Sequence, residues 1–298
     1  MLSFARRAAA LLLLAPACAA AAGYDLSFAA RVDYPVAAGP RLAQAGLVND
    51  DEYPDIVVFN DEGIVVFFGS PAGTLSAPLA TPFPGRAHAM ALADLDGDGR
   101  ADIIGADKVD RSLRVLLGDG AGGFVAGSEI ALGARPAALA CVDLDRDGKV
   151  DVVVAADVGL MVLAGDGRGG FAAPETIFSG EAFSSLAIDD FNGDGRPEIA
   201  AFRQDRGTLR TFARGADGKL EVVAVAELRA NVEAVVSGEL TGDDHLDLAI
   251  VERRGAAILA GDGRGGFAEP RNIYASNSAR ALTTGDFDGD GRNDLAVL

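Results

Sequence analysis

Four stretches of this 298-residue chain place acidic side chains at a spacing suited to gripping a hard cation. They are Asp94-Leu-Asp-Gly-Asp-Gly-Arg-Ala-Asp102, Asp143-Leu-Asp-Arg-Asp-Gly-Lys-Val-Asp151, Asp190-Phe-Asn-Gly-Asp-Gly-Arg-Pro-Glu198 and Asp286-Phe-Asp-Gly-Asp-Gly-Arg-Asn-Asp294. Oxygen-bearing side chains stand at positions 1, 3, 5 and 9 of each loop: Asp94, Asp96, Asp98 and Asp102; Asp143, Asp145, Asp147 and Asp151; Asp190, Asn192, Asp194 and Glu198; Asp286, Asp288, Asp290 and Asp294. With glycine at position 6 for a sharp turn, this is the donor set that Ca²⁺ requires. A fifth loop, with Glu239, Thr241, Asp243 and Asp247, is a weaker site, because Thr241 replaces an acid and Asp244 the turn glycine. One more loop, the first in chain order, Leu47 to Asp55, is degenerate, with Leu47 at position 1 and Glu52 at position 6.

Solvated turns held by Asx hydrogen bonds are the plainer reading of acidic clusters. The glycine and the terminal acid, kept in register, favour a cation in the four strong loops. An EF-hand needs a bidentate Glu at position 12 and flanking helices. Position 12 is here Gly105, Val154, Ala201, Ile250 or Val297, which excludes that sensor.

Other chemistry finds little support. The two histidines, His88 and His245, fall in different repeats, and no Gly-x-Ser-x-Gly elbow supplies a nucleophile. Gly165-Asp-Gly-Arg-Gly-Gly-Phe171 and Gly261-Asp-Gly-Arg-Gly-Gly-Phe267 lack the Gly-Lys-Ser/Thr ending of a phosphate loop and read as hairpin turns. The expectation is a protein without enzymatic activity.

The elements that position the loops are repeats. Position 9 recurs at Asp55, Asp102, Asp151, Glu198, Asp247 and Asp294, at alternating intervals of 47 and 49 residues, a period typical of propellers and solenoids. An apolar residue after a Gly-rich turn (Phe28, Leu75, Phe124, Phe171, Leu220, Phe267) lies 19 residues before each loop, so length variation falls elsewhere. Each unit reads as four short apolar runs punctuated by Gly and Asp, which predicts strands rather than helices. The predicted fold is an all-β propeller of about six four-stranded blades, with residues Tyr24 to Pro40 closing the last blade as its fourth strand. A truncated seven-bladed propeller is the alternative.

Composition sets outer limits. A chain that is 49% hydrophobic with 38 Gly can build a large core. A formal charge of -18 argues against a nucleic-acid partner. Much of that acidity is local, since 20 of the 44 Asp and Glu occupy ligand positions of the six loops.

Residues 1–22 read as a signal peptide: Arg6 and Arg7, an apolar run from Ala8 to Leu14 too short to span a bilayer, then small residues. The expectation is a secreted or periplasmic protein with no transmembrane span and a single propeller domain over 23–298. Leu14-Ala-Pro-Ala-Cys18 raises the alternative of a lipoprotein anchored through Cys18. With Cys18 removed, Cys141 is the one remaining cysteine and reads as a buried structural thiol.

The loops leading into Ile103-Ile-Gly-Ala, Val152-Val-Val-Ala and Leu295-Ala-Val, together with Leu116-Leu-Gly-Asp-Gly-Ala-Gly-Gly-Phe124, resemble FG-GAP/VCBS repeats, as in the integrin α-subunit propeller. That resemblance implies a Ca²⁺-binding, extracytoplasmic propeller used for adhesion or protein interaction. It adds the backbone carbonyls of Arg100, Lys149, Arg196, His245 and Arg292 at position 7 as ligands. The partner would be an extracytoplasmic protein or a surface ligand. A sugar-binding or glycan-active propeller is the alternative, disfavoured by four Tyr and no Trp.

Overall fold

The computed structural model describes residues 32–36, 39–83, 85–203, 207–228, 232–252, 255–275, 279–287 and 290–298. The predicted signal peptide, Cys18 and Tyr24 to Arg31 lie outside the described residues. Val, Ile and Ala runs extend into strands because their side chains suit a pleated surface, whereas the Gly and Asp between them favour turns. Among the described residues there are 22 strands and no helix.

The strands form propeller blades, each an antiparallel meander in chain order. The first blade is β1 (Leu42–Gly46), β2 (Asp55–Asn60), β3 (Gly63–Phe67) and β4 (Leu79–Thr81). The second is β5 (Ala89–Ala93), β6 (Asp102–Asp107), β7 (Ser112–Gly118) and β8 (Phe124–Ala131). The third is β9 (Pro136–Val142), β10 (Asp151–Ala156), β11 (Gly159–Leu163) and β12 (Glu175–Ile177). The fourth is β13 (Phe183–Asp189), β14 (Glu198–Arg203), β15 (Thr208–Arg214) and β16 (Leu220–Glu227). The fifth is β17 (Val232–Gly238), β18 (Asp247–Glu252), β19 (Gly255–Leu259) and β20 (Arg271–Ala275), and a two-stranded sheet follows, β21 (Leu282–Gly285) with β22 (Asp294–Val297).

The structure therefore corrects the expected six or seven blades to five complete ones and a two-stranded sheet among the described residues. The physical reason is that each acidic loop joins a first strand to a second. Six loops mark six such hairpins, but among the described residues the β21–β22 hairpin is joined by no further strand. The predicted closing strand is also corrected where it is described. Residues 32–36 form no strand; Tyr34 instead packs edge-on to Phe67 of the first blade, ring centroids 5.9 Å apart, and its hydroxyl accepts the Leu75 N–H at 3.2 Å.

Two compact units are distinguished: Val32–Ala156 with Met161–Thr176, and Asp157–Leu160 with Ile177–Leu298. In the first, β5 lies beside β1 and β9, and every residue of β6 is buried. Ile103 packs toward Val57, Phe59 and Val66, whereas Ile104 and Ala106 pack toward Val152 and Val154. In the second, β17 lies beside β13 and β21, and Phe202, Leu209, Leu248 and Ile250 share one apolar cluster. The fourth strands β8 and β16 alternate between half-buried and exposed stretches and form blade edges. Position 9 of every acidic loop is the first residue of a second strand, and in the five complete blades that strand is almost wholly buried.

Candidate metal centre

The five loops with an acid at position 1 each fold around that carboxylate. Asp94 Oδ1 accepts the N–H of Gly97 at 2.8 Å and of Asp98 at 3.1 Å, and its Oδ2 accepts that of Gly99 at 2.9 Å. Asp143, Asp190 and Asp286 accept the amides at positions 5 and 6 in the same way, at 2.7–3.1 Å. Glu239 accepts the amides of Thr241, Gly242 and Asp243 through Oε1. These bonds curl the loop so tightly that positions 4 and 6 adopt positive φ, as at Gly97 (78°) and Gly99 (85°). Arg146 at position 4 of the third loop (63°) and Asp244 at position 6 of the fifth (64°) take that conformation without being glycine, a strained choice for a residue with a Cβ.

The curl gathers carboxylates. Ligand atoms of Asp94, Asp96 and Asp102 lie within 4.8 Å of one another, and so do those of Asp143, Asp145 and Asp151. Hard, anionic oxygens converging at this separation fit a divalent cation such as Ca²⁺. Position 5 stands outside both clusters: Asp98 Oδ1 accepts Arg100 N–H at 2.9 Å and its Oδ2 pairs with Arg100 Nη1 at 3.6 Å. Asp147 does the same with Lys149, its N–H at 2.9 Å and Nζ at 2.8 Å, and that ammonium holds the Asp147 carboxyl below its usual range. Asp194, Asp243 and Asp290 likewise accept the N–H of Arg196, His245 and Arg292 at 2.8–3.0 Å. Asn192 donates Nδ2–H to Glu198 Oε1 at 2.8 Å, and Asp288 lies outside the described residues.

Position 9 has a second role that the loop pattern alone did not reveal. Asp102 is 1% exposed; its Oδ2 accepts Leu95 N–H at 2.8 Å and its Oδ1 accepts Gly118 N–H, at the end of β7, at 2.8 Å. Asp151 joins Leu144 and Gly165 in the same way, and Asp247 joins Leu240 and Gly261. Asp55 in the degenerate loop also does so, with Val48 and Gly69 at 2.9 Å each. The residue staples the loop to the third strand. Glycine is required there by close approach, since a Cβ at Gly118 would stand 2.4 Å from Ala101 O and one at Gly165 2.1 Å from Val150 O. In the fourth blade both partners differ. Arg214 ends β15, and Glu198, with its longer side chain, turns back to the N–H of Asn192 at 3.2 Å. Gly165→Ala is expected to destabilise the chain by about 1–3 kcal/mol through overpacking against the Val150 carbonyl, read as a lower urea midpoint; an unchanged midpoint would show that the approach is not tight.

The Gly-Asp-Gly turns after the third strands of the second, third and fifth blades are hairpin turns whose reach the sequence reading missed. Asp119 Oδ1 accepts Ala121 and Gly123 N–H at 2.8 and 2.9 Å, and Asp166 and Asp262 repeat the arrangement. These turns reach the preceding blade's acidic loop: Gly169 N–H donates to Leu95 O at 3.0 Å, Gly265 N–H to Phe191 O at 3.2 Å, and Asp50 N–H to Gly120 O at 3.1 Å. Their signal in the sequence was the recurrence of Gly-Asp-Gly at one phase.

The burial of position 9 has electrostatic consequences. Burial pushes the Asp102 carboxyl up, helped by the charges of Asp96 and Asp98 and opposed by its amide donors. Asp151 is raised by burial and by Asp145 and Asp147. Glu198 is pushed up to about 7 by burial and then by Asp194 and Asp190. Crowded, partly desolvated acids favour a proton or a cation. Cys141, half-buried at the edge of a core cluster, has its thiol pushed up to about 12 by burial, which makes it inert.

A profile of the FG-GAP-like repeat matches residues 48–105, 94–154, 143–201 and 239–297. None of the curated proteins matches by sequence. Among solved structures, the chain is similar to an Agrocybe aegerita lectin described for recognition of non-reducing terminal N-acetylglucosamine (20% identity, TM-score 0.63, 85% of this chain and 73% of that one). It is also similar to BBS1N in complex with ARL6DN (13% identity, TM-score 0.57, 87% and 79%) and to the Pseudomonas aeruginosa periplasmic gluconolactonase (17%, 0.51, 76% and 68%). At these identities the likeness is one of fold.

Proposed function

The chain belongs to the FG-GAP-like repeat family, and from that premise we propose that it is a Ca²⁺-stabilised propeller serving as a non-enzymatic interaction or adhesion module outside the cytoplasm. The observation that carries the reading is the convergence of Asp94, Asp96 and Asp102, and of Asp143, Asp145 and Asp151, on two points. Bound there, Ca²⁺ would supply positive charge that neutralises the cluster and cross-links a loop to its second strand. The chain's own residues position the oxygens, through the position 1 curl and the position 9 staple. Asp98, Asp147 and the position 7 carbonyls would complete the sets, with further strong sets in the Asp190 to Glu198 and Asp286 to Asp294 loops and a weaker one in the Glu239 to Asp247 loop. Among the described residues no helix is long and apolar enough to cross a membrane.

With dissociation constants of about 0.1–1 mM, typical of extracellular modules, millimolar Ca²⁺ adds roughly 0.4–1.4 kcal/mol per site. Calorimetric titration of the full chain tests this. The Asp96→Ala, Asp145→Ala double variant is expected to bind about two fewer Ca²⁺ ions than the parent, the sites being independent. No metal by elemental analysis and an unchanged melting curve in chelator would sink the calcium reading. The interaction role is tested by capture of surface proteins with the immobilised chain in Ca²⁺ and in chelator. The likeness to a lectin supports sugar binding as the rival, and strong Ca²⁺-independent signals on a glycan array would replace the present reading.

A further inference from the structure

The fourth acidic loop contains the chain's one Asn-Gly pair, Asn192-Gly193, and its surroundings resemble a site built for attack on an amide. Asn192 Oδ1 accepts the Asp194 N–H at 2.8 Å, so the oxygen that becomes negative in the tetrahedral intermediate already faces a donor. Asn192 Nδ2, the leaving nitrogen, donates to Glu198 Oε1 at 2.8 Å, and Asn192 N–H donates to Glu198 Oε2 at 3.2 Å. A carboxylate on one side and an N–H on the other fix which amide atom is nitrogen. The attacking group is the Gly193 nitrogen. In the second loop the equivalent Gly97 N–H is engaged by Asp94 at 2.8 Å, and in the fifth Gly242 N–H is engaged by Glu239. Among the described residues no such bond is made to Gly193 N–H. Gly193 is exposed, has φ 72°, and nothing lies within 4 Å of where a Cβ would stand.

We infer that Asn192-Gly193 is a self-modification site at which the folded chain converts a neutral ligand of the fourth loop into an acid. The Gly193 nitrogen forms a bond to Asn192 Cγ as its proton passes to water. The Cγ–Nδ2 bond then breaks, and Nδ2 takes a proton from water and leaves as ammonia. Water opens the resulting succinimide at either carbonyl, giving aspartate or isoaspartate, so the sum is amide plus water to carboxylic acid plus ammonia. The aspartate product gives the fourth loop four acids, like the second and third. The residues around it stay as they are, with Glu198 a positioning residue that holds the amide in place.

The test holds the full chain in chelator at neutral pH and physiological temperature, so that the result does not depend on whether the loops take a cation. Peptide mapping follows the mass gain of an NH₂-to-OH exchange at every Asn. Asn192 is expected to convert about tenfold or more faster than Asn60, Asn272 and Asn293 of the same chain, because only its neighbour lacks a Cβ. Gly193→Ala is expected to slow conversion at 192 by about tenfold. Conversion of Asn192 no faster than Asn272 in the folded parent overturns the inference, and that comparison stands even if the alanine variant folds poorly.

Discussion

Replacing Asp102 by alanine is expected to lower stability by about 2–6 kcal/mol in urea titration, and the loss persists in chelator. Asp102 is 1% exposed and accepts two backbone amides, from Leu95 and Gly118. Truncation strands both donors in the protein interior, and each stranded donor costs about 1–3 kcal/mol. The decisive companion is Asp55→Ala, which removes the same two bonds from a loop whose position 1 is Leu47. It should fall by a similar amount. Asp98→Ala, by contrast, removes an exposed pair with Arg100 and should change the chelated protein by under about 1 kcal/mol. If the Asp102→Ala deficit disappeared in chelator, the carboxylate would be acting through a cation and the staple would be wrong.

The second large effect is a reversal of pH dependence by Ca²⁺. In the cation-free chain Glu198 is raised from 4.5 to about 7, and Asp102 and Asp151 are raised in the same direction. A raised carboxyl favours folding in its protonated form. Its contribution is full below the unfolded value and is lost as pH climbs through the folded one. For Glu198 the window runs from 4.5 to about 7, and the loss is at most about 3 kcal/mol. Asp107, lowered by its amide donors and Arg114 despite burial, acts oppositely, losing its contribution only as pH falls below the ordinary Asp range. The melting temperature in chelator should therefore fall between pH 5 and pH 7.5. Saturating Ca²⁺ favours the ionised acids and should flatten or invert that slope while releasing protons on binding. Parallel melting curves with and without Ca²⁺ across this range would contradict the arrangement.

Much of this was legible from spacing. The interval of 47 or 49 residues and the fixed lead-in of 19 set the blade length, and the short apolar runs became strands that begin at the expected position 9. The blade count was not legible from loops, because a loop marks the first hairpin of a blade and says nothing of its outer strands. Nor was the place of Tyr34, whose ring found Phe67 through an apolar contact that leaves no periodic trace. The ligand pattern read position 9 as one oxygen among four, although the first loop held the clue: it lost positions 1 and 6 and kept Asp55. Asp98 and Asp147 occupy ligand positions in the pattern, yet short local bonds to Arg100 and Lys149 satisfy them first.

The staple also bears on how such repeats are inherited. After a duplication, a loop free of cation-binding duty can drift at positions 1 to 6 while its ninth-position acid and the facing glycine are held by the demands of folding. The Leu47 to Asp55 loop has the form of a copy partway along that course. The fourth blade differs at both places, with Glu198 where the other blades carry Asp and Arg214 where the other complete blades carry Gly.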